Sequence, residues 1–140
     1  NGRVINSMID DYVANNDNTI AFTSMGQVNS LSALQFVDVV VGNSSSGLLE
    51  APSFNIATID IGDRQKGRIK ADSVISCKPT EEGIDNAFSK LFSGDFQNVV
   101  VNTQNPYGNG GASKIIVDVI KDLDLNGILK KSFYRVKGIA

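Results

Sequence analysis

Short apolar runs that stop at a glycine or polar turn and restart after a helical stretch are the feature that most limits how this chain can fold. Val39-Val40-Val41 ends at Gly42, Ile56 to Ile61 ends at Gly62, and Val74-Ile75-Ser76-Cys77 closes the series. Thr19 to Met25, broken by Gly26, reads as an earlier strand. Runs without strict in-out alternation suit strands covered on both sides.

Between these runs, apolar residues recur at helical spacing. Val4, Ile5, Met8, Ile9, Tyr12 and Val13 mark a first helix, and Leu31, Leu34, Phe36 and Val37 a second, capped by Asn29 or Ser30. Leu48 to Ala51 opens a helix that stops near Phe54-Asn55. Thr80-Glu81-Glu82 caps one carrying Ile84, Ala87, Phe88, Leu91 and Phe92, and Ala112 to Leu123 forms the last long helix. The tail after Asn126-Gly127 is basic and expected to be helical in part. Strand and helix in alternation predict an α/β domain, a doubly wound parallel sheet whose ligands sit at the carboxyl ends of its strands. A length of 140 residues suits one such domain, residues 1–140.

Composition narrows the chemistry. Thirteen Lys and Arg against fifteen Asp and Glu give a net charge of −2 without a basic stripe, which argues against nucleic acid as partner. No apolar run approaches the roughly 20 residues of a membrane span, and no signal-peptide pattern opens the sequence, so the expected location is cytoplasmic. Histidine is absent, which removes the commonest general base and metal ligand. With Cys77 as the lone cysteine, no internal disulfide forms, and neither a metal nor a cofactor is implied.

The segment Gly42-Asn43-Ser44-Ser45-Ser46-Gly47 places small hydroxyl-bearing residues between a buried strand and a helix start. Free backbone amides at such a point favour an anion, and small side chains let a diphosphate approach the main chain. The same serines could equally serve as an N-cap. Glu50 lies about one and a half turns on, where a carboxylate can accept from a ribose diol. Arg64 and Arg68 follow the next strand at the same sheet edge, where guanidinium forks can neutralise phosphate; an exposed charged loop is the alternative. Gly108-Asn109-Gly110-Gly111 follows no strand and matches neither phosphate-loop nor dinucleotide spacing. Without histidine, and outside a nucleophile elbow, the serines read as binders rather than nucleophiles.

Three segments carry a resemblance. Gly42 to Ser53, Ile61-Gly62-Asp63-Arg64-Gln65-Lys66-Gly67-Arg68 and Asn105-Pro106-Tyr107-Gly108-Asn109-Gly110-Gly111-Ala112 resemble, in that order, the UDP-N-acetylglucosamine 2-epimerase family, particularly its hydrolysing branch. The resemblance implies the C-terminal half of a two-domain, glycosyltransferase-B-like enzyme that binds UDP in the interdomain cleft. By motif match, Ser44, Ser45 and Ser46 would hold the diphosphate, Glu50 the ribose hydroxyls and Arg64 the phosphate side; Met25 to Ser30 would border the uracil.

The family's chemistry eliminates UDP across sugar C1 and C2 and then adds water, using carboxylates and a histidine expected to precede Asn1. The chain is therefore expected to be a nucleotide-binding domain truncated at its N-terminal side, inactive alone. Its expected partners are a UDP-sugar, its own N-terminal domain and further copies of itself in a homo-oligomer; alone, an uncovered sheet edge and apolar surface would favour self-association or a low-stability monomer. A non-hydrolysing epimerase, a glycosyltransferase of the same architecture and a ligand-free α/β domain remain alternatives.

Overall fold

The computed structural model describes residues 2–130. They fall into two compact units, one ending at Tyr107 and the other beginning at Gly108. The first unit is built on a parallel sheet of three strands, β1 (Val39–Gly42), β2 (Ala57–Ile61) and β3 (Val74–Cys77), in that spatial order. Val41 lies opposite Ile59, and Ile59 opposite Ile75. Helix α3 (Ser46–Leu49) and a 3-10 turn over Ala51–Phe54 lead from β1 to β2, whereas an irregular loop, residues 62–73, leads from β2 to β3.

Central strand β2 is buried on both sides, as the unalternating pattern of its residues requires. Ala57 and Ile59 join Ile75 against helix α4 (Glu81–Leu91), through Ala87 and Leu91, and helix α5 (Gly94–Val101), through Phe96 and Val100. Side chains such as Ile59 and Leu91, both essentially inaccessible, each contribute about 1.5–3 kcal/mol by leaving water. Helix α4 starts where the sequence indicates: the Thr80 hydroxyl accepts from Gly83 N–H at 3.1 Å, with Glu81 and Glu82 in the first turn and Lys90 in the last.

The opposite face of β2 is polar and closely packed. Thr58 donates its hydroxyl to the Gly47 carbonyl at 2.8 Å, and a Cβ at Gly47 would lie 2.6 Å from the Thr58 γ-methyl. Only glycine allows α3 this near the sheet. Two residues on, Asp60, 1% exposed, accepts from Lys70 at 2.7 Å, and Lys70 also reaches the Ser76 hydroxyl at 2.6 Å.

Several elements differ from their sequence reading. Residues 19–25 are not a strand: a strand exists only by pairing, and no described segment pairs with them, leaving Ile20 and Phe22 exposed. Helix α2 (Gly26–Ala33) starts earlier than Asn29; Ser24 accepts from Gly26 N–H at 3.3 Å, and Ser30 falls within the helix rather than capping it. The helix expected over 48–54 is α3 plus a 3-10 turn, because Pro52 lacks the N–H that would continue it.

The sequence pattern marks no element over residues 93–104, yet α5 forms there. Its N-cap, Ser93, accepts from Phe96 N–H at 3.3 Å, and burial of Phe96 and Val100 overrides the β-branched run Val99–Val101. Helix α1 (Gly2–Ala14) covers the apolar positions marked from Val4 to Val13 but has no buried residue. In the second unit, α6 (Ala112–Asp122) matches its reading to within a residue. Residues 125–130 make turns, and the remaining basic tail lies outside the described residues.

Two substitutions test this packing by urea denaturation. Gly47→Ala should cost about 1–3 kcal/mol through overpacking. Thr58→Ser in that background, which removes the methyl and keeps the hydroxyl, should recover most of the loss; no recovery would mean that α3 is not held by this approach. Lys70→Met should cost about 3 kcal/mol by leaving Asp60 buried without its cation, and a neutral outcome would show the pair to be solvated.

Candidate functional site

Because the strands are parallel, the segments after β1 and β2 leave the sheet at the same edge. Gly42 turns the chain out of β1 with φ +146°, a conformation that residues with side chains rarely adopt. Asn43-Ser44-Ser45-Ser46 follows and winds into α3.

The hydroxyls of this turn have separate partners. Ser44 accepts from Ser46 N–H at 3.3 Å. Ser45 occupies the N-cap position of α3 without a side-chain cap bond, so among the described residues its hydroxyl is uncommitted. Ser46 donates to the Glu50 carboxylate, four residues along, through Oε2. The N–H groups of Ser45 and Gly47 have no partner within the described residues. No serine of the turn makes a side-chain N-cap bond to α3; Ser44 closes a local turn onto Ser46 N–H instead. Helix α3 is four residues long, so its macrodipole is small, and the attraction for an anion rests on these free N–H and O–H groups.

The loop after β2 folds back onto the turn. Arg64 Nη1 donates to the Asn43 carbonyl at 3.1 Å and approaches Asn43 Oδ1 at 3.4 Å. Gln65 Nε2 donates to the same carbonyl at 2.7 Å. Arg64 is exposed, while Gln65 is 2% exposed and keeps its Oε1 buried without a partner, an arrangement that costs about 1–3 kcal/mol.

Ser44, Ser45, Ser46, Glu50 and Arg64 are therefore gathered at one edge, as the sequence reading placed them. Met25 and Ser30 do not join them by any hydrogen bond among the described residues; Met25 is half-buried at the start of α2, and Ser30 is exposed. Arg68 is exposed and makes no side-chain hydrogen bond there either.

Gln65, Asn105 and Tyr107 escaped the sequence reading as site residues. Asn105 donates to the Leu49 carbonyl at 2.9 Å and to Ser53 Oγ at 2.6 Å, and its Oδ1 accepts from Tyr107 N–H at 2.9 Å. The Tyr107 hydroxyl donates to the Ile69 carbonyl at 2.9 Å. Residues 105–107 thus tie the end of α3 to the loop bearing Arg64. The available signal for Gln65 was a single uncharged amide inside the run Asp63-Arg64-Gln65-Lys66.

Cys77 ends β3 half-buried against the core. Burial pushes its thiol pKa up, and the Asp60 carboxylate adds to the shift. Among the described residues, no group of three or more His, Cys, Asp or Glu is placed to hold a metal ion, and no helix is long and apolar enough to cross a membrane.

The UDP-N-acetylglucosamine 2-epimerase family profile matches residues 1–121. The chain is 38% identical over 135 residues to a GDP/UDP-N,N'-diacetylbacillosamine 2-epimerase (hydrolyzing) of Campylobacter jejuni, covering 95% of the chain and 35% of that protein. It is 30% identical over 131 residues to a UDP-N,N'-diacetylbacillosamine 2-epimerase (hydrolyzing) of Legionella pneumophila, covering 93% and 33%. It is also 40% identical over 92 residues to the polysialic acid biosynthesis protein P7 of Escherichia coli, covering 66% and 24%. The chain spans about a third of the length of the first and second of these.

The raised thiol pKa makes a signed prediction. A pKa higher in the folded than in the unfolded state contributes stability that is present below the unfolded value and lost as pH rises through the folded one. Alkylation of Cys77 by iodoacetamide should show a midpoint above that of the same chain in urea. Folding stability should fall on the alkaline side of the ordinary thiol range, with a smaller fall in Cys77→Ala. An alkylation midpoint at or below the urea value would contradict the assigned environment.

Proposed function

The chain belongs to the UDP-N-acetylglucosamine 2-epimerase family, and we propose that it is the UDP-binding part of a longer, hydrolysing UDP-sugar 2-epimerase. The observation that carries this reading is the docking of Arg64 and Gln65 on the Asn43 carbonyl, which brings a guanidinium beside the unpartnered groups of the serine turn. In this reading the diphosphate sits over the Ser45 and Gly47 N–H groups and the serine hydroxyls, with Arg64 supplying positive charge. Glu50, already oriented by Ser46, accepts from the ribose diol. Met25 to Ser30 would border the uracil.

In the intact enzyme the proton on sugar C2 is removed as UDP leaves C1, giving a C1–C2 double bond. Water then adds its hydroxyl at C1 and a proton at C2 on the opposite face, releasing the free 2-epimeric sugar and UDP. This chain would contribute by holding the leaving group and spreading its charge. The general acid and base would come from outside residues 1–140, where the enzyme's N-terminal domain would close the site. The reading also includes a cytoplasmic enzyme acting as a homo-oligomer.

UDP-N-acetylglucosamine, yielding N-acetylmannosamine for sialic-acid-type sugars, is the first substrate proposed. The names of the Campylobacter and Legionella relatives favour a second, a UDP-linked diacetylbacillosamine, which the same nucleotide site would hold. A non-hydrolysing outcome would use the same site as well.

Calorimetric titration should show binding of UDP in preference to ADP. Arg64→Ala should weaken UDP by roughly 10–100-fold, the loss of a charged hydrogen bond, and leave uridine unchanged. Glu50→Gln should weaken UDP and uridine alike. Equal affinities of the wild type and both variants would remove the site assignment.

A further inference from the structure

We infer that Gln65 is the positioning residue of this site: it holds the arginine loop on the serine turn so that Arg64 is free to leave Asn43 for an anion. Two neighbouring side chains donate to one carbonyl, that of Asn43, and they differ in every other respect. Arg64 approaches from the exposed side at 3.1 Å. Gln65 approaches from within at 2.7 Å, with 2% of its surface exposed.

A carbonyl oxygen has two lone pairs and can serve both donors at once. If Arg64 turns to a phosphate, Asn43 keeps its Gln65 bond and the turn keeps its shape. Losing Gln65 has the opposite effect, because a single solvent-exposed guanidinium would then both hold the turn and bind the ligand.

The remainder of the Gln65 side chain supports the assignment. Its Oε1 is buried without a partner, so burial of this amide is unfavourable apart from its Nε2 bond. Methionine would fill a similar volume with no unpaired oxygen. The amide is accounted for by the Asn43 carbonyl, and that acceptor also fixes which end of the amide is nitrogen. Asn43 immediately precedes the serines, so a change in its peptide plane passes directly into the N–H directions of the turn.

The diphosphate part of this inference rests on the proposed UDP site; the loop-anchoring part does not. The test therefore pairs hydrogen exchange of the ligand-free intact protein with UDP titration. Gln65→Met should speed amide exchange over residues 43–49 by at least about tenfold, leave β2 and β3 protected, and raise the Kd for UDP about tenfold, with a smaller rise for uridine. Arg64→Met should weaken UDP without changing exchange over 43–49. Should the methionine variant fold poorly, Gln65→Glu serves instead: its carboxyl can donate when protonated, so protection of 43–49 should be near wild type at low pH and lost as the group ionises. Unchanged exchange in the Gln65 variant would overturn the anchoring role. Absence of UDP binding by the wild type would overturn the nucleotide reading and the diphosphate part with it, and that outcome is seen without any variant.

Discussion

The approach of Gly47 to Thr58 is the contact on which the geometry of the site depends. A missing side chain lets α3 lie against β2, and the Thr58 hydroxyl fastens the Gly47 carbonyl. Because Gly47 directly follows the three serines, its position on the sheet determines where their hydroxyl and N–H groups point. A larger residue would push the helix start off the sheet and shift the turn to which Arg64 and Gln65 bond at the Asn43 carbonyl. Fold and site thus meet at one residue.

The two faces of β2 divide the work. One is apolar, and α4 and α5 close it through Ile59, Leu91, Phe96 and their neighbours. The other carries Thr58 and Asp60, each held by a defined partner. Hydrophobic burial is non-directional and tolerates small shifts, whereas hydrogen bonds and ion pairs specify distance and angle. The apolar face supplies most of the cohesion, and the polar face places the loops. Asn105 and Tyr107 extend this placement from a distant part of the chain by fastening the end of α3 and residue 69.

Sequence was most informative where local chemistry determines the outcome. The runs at 39–41, 56–61 and 74–77 announced the parallel sheet, Thr80 with its acidic followers marked α4, and the serine turn and Arg64 stood at one sheet edge because strand ends must. Residues 19–25 looked like a strand because composition reports propensity, while a strand needs a partner that composition cannot show. Helix α5 was hidden for the complementary reason: Val99–Val101 favours a strand locally, and burial of Phe96 and Val100 decides otherwise. Gln65 was illegible because its value lies in one hydrogen bond to a backbone carbonyl 22 positions away. The resemblance to the epimerase family located the nucleotide-site candidates, but the shared acceptor of Arg64 and Gln65 is visible only in the folded chain.

In the proposed function, the serine turn and the arginine loop together receive a nucleoside diphosphate. The most direct test is amide and guanidinium NMR of the labelled protein during titration with UDP. The largest shifts are expected at the Ser45 and Gly47 N–H groups, with Arg64 Nη signals moving as the side chain exchanges Asn43 for phosphate and Gln65 Nε2 staying in place. Shifts centred elsewhere, or an Arg64 that stays on Asn43 at saturating UDP, would contradict it.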